Sequence, residues 1–194
     1  MQRKKIMKKG LLIVLSGPSG VGKGTVLKRF INDPSLNLAY SVSLTTRRPR
    51  QGEVDGLNYH FVSKDYFNKW IEADEFLEYA EFVGNYYGTS KIMVERLREQ
   101  GKNVLLEIEV QGALQVKEKC PDALSIFIIP PSFEELERRI RQRRSEKEEV
   151  IQQRLEKAKK EMDLMENYKY IVCNDDPQMA ADIISIIIKR SMES

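Results

Sequence analysis

Short apolar runs bounded by turn residues punctuate the chain: "LLIVL" at 11–15, "NVLLEIE" at 103–109, "LSIFII" at 124–129 and "YIVC" at 170–173. Unbroken apolarity over so few residues fits strands covered on both faces, the pattern of a central parallel sheet. Stretches of helical period lie between these runs, with recognisable starts. Ser132 with Glu135 and Ser145 with Glu148 each form a capping box, and Asp176 followed by Pro177 gives an N-cap and a first-turn proline. "TVLKRFI" predicts a helix that buries Val26, Leu27, Phe30 and Ile31, and the isoleucine-rich "IISIII" predicts a terminal helix packed on the core. Strand and helix alternate, so the fold class is α/β, a central parallel sheet flanked by helices.

Two segments depart from this rhythm. Residues 41–88 switch to alternating, turn-rich patterns ("SVSLTT", "NYHFV", "EFLEYAEFVGNYYG"), which predict a small, partly antiparallel insertion. Residues 131–165 carry two highly charged helices with no strand between them, joined near Arg143 to Ser145, the pattern of a hinged flap. The expected organisation is a core of 1–40, 89–130 and 166–194, with 41–88 and 131–165 as its insertions. A length of 194 residues suits one such unit.

Composition narrows the function classes more than it selects one. The net charge of +3 offers no broad field for nucleic acid, while local arginine clusters remain able to hold small anions. "LLIVL" is too short for a signal peptide or a membrane span, so the expectation is a cytoplasmic protein without a membrane partner. The basic start "MQRKKIMKKG" reads as a solvated terminus. Cys120 and Cys173 lack metal-type spacing and read as buried thiols in a reducing compartment. His60, the sole histidine, reads as packing or surface beside Tyr59 and Phe61.

The chemistry begins at "GPSGVGKGT", Gly17, Pro18, Ser19, Gly20, Val21, Gly22, Lys23, Gly24 and Thr25. A glycine-rich turn between a buried strand and a helix lets successive N–H groups converge on phosphate oxygens, with the helix dipole behind them. Lys23 would meet the β- and γ-phosphates. Gly24 stands where the phosphate-loop pattern wants a magnesium-holding hydroxyl, and Thr25 lies about 100° further round the helix. Mg²⁺ keeps several waters and takes oxygens from the nucleotide, so binding survives that loss. Glu107 and Glu109 end a buried strand facing the same way, which beside a phosphate loop favours a metal-water or substrate role.

In this order, "GPSGVGKGT", "SVSLTTRRPRQGEVDGLNYHFV", "EFLEYAEFVGNYYGTS", "LLEIEVQGA" and "IVCNDD" resemble the guanylate kinase family, across nearly all of residues 10–190. The resemblance implies phosphoryl transfer from ATP to GMP with magnesium, by a core domain, a GMP-binding insertion (41–88) and a lid (131–165). It places the GMP phosphate against Arg47, Arg50, Tyr59 and Tyr87, and guanine among Ser43, Glu78 and Thr89 with Glu109 close by. Arginine forks suit a phosphate dianion, and a carboxylate can accept guanine N1–H and N2–H together. Arg139, Arg143 and Arg154 match the lid arginines of the family, and Asn174 with Asp175 falls near the ATP base. Helix-spaced pairs Glu134/Arg138, Glu135/Arg139 and Glu137/Arg141 give those arginines a surface alternative. The implied magnesium rests on nucleotide oxygens and waters, with Glu107 in its outer shell; related sequences often carry Asp at both acidic positions. ATP and GMP are the expected partners of a monomer or homodimer. Two other readings stay open: a module of this fold binding phosphorylated proteins, against which Lys23 and the lid arginines speak, and a kinase for another monophosphate, against which Ser43 and Glu78 speak.

Overall fold

In the computed structural model, residues 8–82, 84–142 and 147–193 are described. Along the chain run β1 (Leu12–Ser16), α1 (Lys23–Phe30), β2 (Leu38–Tyr40), β3 (Leu44–Thr45), β4 (His60–Phe61), α2 (Lys64–Glu72), β5 (Phe76–Phe82), β6 (Asn85–Ser90), α3 (Lys91–Glu99), β7 (Asn103–Glu107), α4 (Val110–Lys119), β8 (Leu124–Ile129), α5 (Phe133–Gln142), α6 (Glu148–Met162), β9 (Tyr170–Cys173) and α7 (Pro177–Glu193). Five strands pair in parallel in the order β2-β7-β1-β8-β9. Four of them are the apolar runs of the sequence. The fifth, β2, was not expected: "LAY" is short, lies at the sheet edge and is only half-buried, so its pattern carries little signal.

Alternate residues of these strands feed two cores, one on each face of the sheet. Ile13, Leu15, Ile126 and Ile128 pack under α1 and α7, while Leu12, Val14, Leu106 and Phe127 pack under α4. In α1, Val26, Leu27 and Phe30 are buried as the period predicts, and Ile31 packs at the margin. In α7, Ile184 and Ile188 face the core, whereas Ile183 and Ile186 are exposed, so only one stripe of the isoleucine-rich run is buried. Asp176 Oδ1 caps this helix by accepting from Gln178 N and Met179 N, both at 2.8 Å.

The insertion is a mixed sheet in the order β4-β3-β6-β5, with β3/β6 and β5/β6 antiparallel. It has its own small core of Leu44, Phe67 and Phe76, with Phe67 stacked on Phe76 at 4.4 Å. Phe67 comes from α2, a helix unforeseen inside an alternating segment. Ser63 starts it, its Oγ accepting from Tyr66 N at 3.1 Å.

The two charged helices bury their apolar faces in the main core: Leu136 and Ile140 of α5, Leu155 and Ala158 of α6. Glu135 N donates to Ser132 Oγ at 3.2 Å, as the first capping box predicts. Ser145 of the second box lies outside the described residues. Glu135 pairs with both Arg138 and Arg139, and Glu137 with Arg141, each at 2.7 Å. Arg138 thus prefers Glu135, three residues back, to the expected Glu134. Cys120 is half-buried and Cys173 exposed, both as free thiols, which corrects the expectation of burial. Cys173 ends an edge strand in which Val172 takes the inward position. Among the described residues no helix is long and apolar enough to cross a membrane.

Candidate active site

The phosphate loop leaves β1 at Ser16 and enters α1 at Lys23. Its shape requires glycine at 22, where φ is 96° and a Cβ would approach Asn174 Nδ2 to 2.7 Å. Asn174 is buried and fastens the back of the loop, Nδ2 donating to Val21 O at 2.7 Å. Arg139 adds bonds from Nη1 to Val21 O (3.3 Å) and from Nη2 to Asn174 O (3.1 Å). In front, Lys23 Nζ curls onto Gly17 O at 2.6 Å and Pro18 O at 3.4 Å. Burial lowers its pKa, opposed by the charges of Glu109, Glu107 and Glu161. Ser19 is held from α6: its N–H donates to Glu161 Oε2 at 3.3 Å and its Oγ accepts from Arg154 Nη2 at 3.1 Å. Thr25 is exposed on the first turn of α1. Gly24 leaves open the space beside Glu107, whose Oε1 would be 3.8 Å from a Cβ there.

Next to the loop opens a cleft of about 380 Å³, whose walls bring together Lys23, Ser43, Arg47, Arg50, Tyr59, Glu78, Tyr87, Glu107 and Glu109. One end is cationic. The Arg47 guanidinium lies 5.4 Å from the Tyr59 ring centroid, and Tyr59 meets Tyr87 edge-on at 5.9 Å. Glu53, to which the sequence reading assigned nothing, receives the Arg47 fork at 2.8 and 3.0 Å and accepts from Arg50 N at 2.7 Å. Those hydrogen bonds from Arg47 and Arg50 hold the Glu53 carboxyl below its ordinary range. Glu53 thereby folds the turn that sets Arg47 and Arg50 side by side, a carboxylate filling the fork much as a phosphate oxygen pair would.

The other end is built around Glu78. A bulge between Phe76 and Glu78 breaks the alternation of β5, so Phe76 enters the insertion core, Leu77 the main core, and Glu78 the cleft. Glu78 is 5% exposed, and Thr89, fully buried behind it, donates from Oγ1 to Glu78 Oε1 at 2.5 Å. Burial pushes the Glu78 carboxyl up to about 7. Gly112 of α4 backs this side chain so closely that a Cβ would lie 2.3 Å from Glu78 Oε2. Gln115, on the same helix, clasps the β5 backbone, accepting from Tyr79 N at 3.1 Å and donating to Tyr79 O at 2.8 Å.

Between the two ends, Tyr40 Oη donates to Glu107 Oε2 at 3.4 Å, and Lys157 of α6 meets Glu109 Oε2 at 2.8 Å. Arg139, Arg154 and Asn174 sit on the loop rather than in the cleft wall, and Arg143 lies outside the described residues. The sequence reading passed over Tyr40, Glu53, Gly112, Gln115, Lys157 and Glu161. Each makes its contact through tertiary packing or across an aperiodic turn, and no local pattern marks it.

A family model described as guanylate kinase matches residues 9–191. A crystal structure of guanylate kinase from Anaplasma phagocytophilum is 35% identical over 97% of this chain and 89% of that one, with a TM-score of 0.75. An uncharacterized protein from Eubacterium ventriosum is 14% identical over 94% of this chain and 99% of that one; at a TM-score of 0.48 the likeness carries no argument. A phosphate loop opening onto a cleft with a cationic end and a buried carboxylate agrees with the two strong matches: the chain belongs to the guanylate kinase family and is an ATP:GMP phosphotransferase.

Proposed function

We propose that GMP lies along this cleft with its phosphate at Arg47, Arg50, Tyr59 and Tyr87 and its guanine at Ser43, Glu78 and Thr89, Glu109 standing beside it. The observation that carries the reading is the placement of a buried acceptor, Glu78, and a set of arginine and tyrosine donors at opposite ends of one cleft that also reaches Lys23. ATP takes the loop from Gly17 to Thr25, with Asn174 supporting its base side. Lys23 then exchanges the carbonyls of Gly17 and Pro18 for β- and γ-oxygens. A GMP phosphate oxygen attacks the γ-phosphorus as the bond to the β-bridging oxygen breaks, leaving ADP. The acceptor oxygen is already ionised, so no general base is needed and positioning with charge stabilisation suffices. Arg154 and, by the family pattern alone, Arg143 stabilise the moving phosphoryl group in this reading, and Arg139 braces the loop through Val21 O and Asn174 O. Closure of the lid and insertion excludes water and limits hydrolysis.

Magnesium bound to ATP supplies neutralisation of β- and γ-phosphate charge. The residues fit it: Glu107 is a half-buried carboxylate beside Lys23 and the open space at Gly24, suited to holding a metal water. Glu107→Gln is expected to raise the magnesium concentration for half-maximal rate, and an unchanged titration removes Glu107 from this role. The reaction belongs to purine nucleotide metabolism, as recycling of GMP in the cytoplasm by a monomer or homodimer, and a net charge of +3 gives nucleic acid little purchase.

Glu78→Gln tests the base assignment. An amide cannot accept N1–H and N2–H together, so the KM for GMP is expected to rise at least tenfold with the KM for ATP little changed. Equal changes for both substrates contradict it.

A further inference from the structure

Lys157 connects the two substrate sites through one side chain of α6. Its ammonium lies 2.8 Å from Glu109 Oε2, in the acceptor cleft wall, and 3.5 Å from Glu161 Oε1 on its own helix. The second oxygen of Glu161, a buried residue, accepts from Ser19 N in the phosphate loop at 3.3 Å. The chain of contacts therefore runs from loop to lid helix to guanine wall. Glu109 is the N-cap residue of α4, two positions past the end of β7, and is half exposed with no side-chain cap to that helix, so its rotamer is set from α6, by Lys157 and the adjacent Glu161. A carboxylate able to swing discriminates poorly, because a guanine hydrogen bond must then also fix the acceptor.

We propose that Lys157 is a positioning residue for guanine selection: by gripping Glu109 while α6 is docked on the phosphate loop, it fixes that carboxylate in the cleft wall and makes acceptor discrimination depend on the docked lid. This rests on the placement of guanine beside Glu109. Lys157 touches neither reacting group, so its loss acts on which base is accepted more than on the transfer step. Inosine monophosphate lacks the 2-amino group of guanine and therefore reports the difference.

The test compares kcat/KM for GMP and for inosine monophosphate at saturating Mg·ATP in the full chain and in Lys157→Met, Lys157→Arg, Glu109→Gln and the Lys157→Met/Glu109→Gln pair. Lys157 is 44% exposed, so the methionine variant keeps its packing. The expected result is a loss of about tenfold in the GMP preference for Lys157→Met, carried by the KM for GMP, the scale of one hydrogen-bonded contact. Lys157→Arg restores most of it, and the double variant is no worse than Glu109→Gln alone. Equal losses for both acceptors in Lys157→Met overturn the proposal and leave a purely structural tie. If Glu109→Gln leaves the preference intact, the guanine placement itself fails and the proposal with it. A preference lost in Glu109→Gln but kept in Lys157→Met removes Lys157 alone.

Discussion

Burial lifts the Glu78 carboxyl from an ordinary 4.5 to about 7 while Thr89 holds its oxygen, so the free cleft carries an acceptor that is costly to ionise. Between those two values the folded protein keeps a proton that the unfolded chain has released. Stability therefore falls as pH rises through that window, and the full penalty, on the order of 3 kcal/mol, stands above it. Below pH 4.5 both states hold the proton and the penalty vanishes. Thermal melts of the ligand-free protein are expected to show Glu78→Gln gaining on the unsubstituted chain at pH 8 and matching it at pH 4, and a gain that does not change with pH contradicts this. Guanine, offering two adjacent donors, would repay that ionisation, whereas adenine leaves the carboxylate unpaired. Some single residues were legible because local chemistry demands them: the phosphate loop needs glycines and Lys23 wherever it occurs. Glu78 was not legible from its pattern, since an alternating strand reads it as facing solvent, whereas the face it shares with Ala80 lines the cleft. Glu53 and Gly112 left even less signal, one across an irregular turn and the other pressed against a side chain from a distant strand.

At the scale of elements, the four-stranded sheet of β3 to β6 with α2 is a small body on a large one. Its core has Leu44, Phe67 and Phe76 fully buried, with Trp70, Ile71, Tyr79 and Tyr86 packed at the edge. α4 ties its outer strand down through Gln115 at Tyr79 and through Lys119 Nζ, which donates to Phe76 O at 2.8 Å. A core this small has few ways to close around a cavity, so Phe67→Ala is expected to cost about 3–5 kcal/mol, borne locally. Hydrogen exchange checks this: amides of β5 and β6 should exchange faster while those of β1, β7 and β8 keep their protection. Uniform acceleration in both sheets would show one cooperative unit instead. The change of period at residue 41 pointed to strands of a different kind, and these form the second, mixed sheet; continuous apolarity pointed to the buried strands because it has few other uses. α2 escaped because its Phe67, Trp70 and Ile71 sit amid alternating neighbours, and β2 because an edge strand needs no apolar pattern.

For the whole molecule, the cleft is walled by Lys23 and the end of β7 on one side and by Arg47 to Tyr87 on the other, while α6 braces it from outside, Arg154 and Glu161 on Ser19 of the loop and Lys157 on Glu109. Leu136, Ile140, Leu155 and Ala158 dock α5 and α6 on the same core that supports the loop, so loop shape and the position of these helices are coupled by packing as well as by polar contacts. Periodicity marked residues 131–165 as charged helices but gave no sign of which side chains cross to the loop and cleft, and neither pattern nor resemblance pointed to Lys157 or Glu161. The measurement that bears most directly on the central claim is ADP formation from Mg·ATP with GMP, AMP, UMP or CMP, each offered separately at equal concentration. The structure and family predict rapid turnover with GMP and rates at least a hundredfold lower with the others, the scale of a buried acceptor left unpaired. Comparable rates with AMP and GMP, or no turnover with any acceptor by folded protein, would contradict the account.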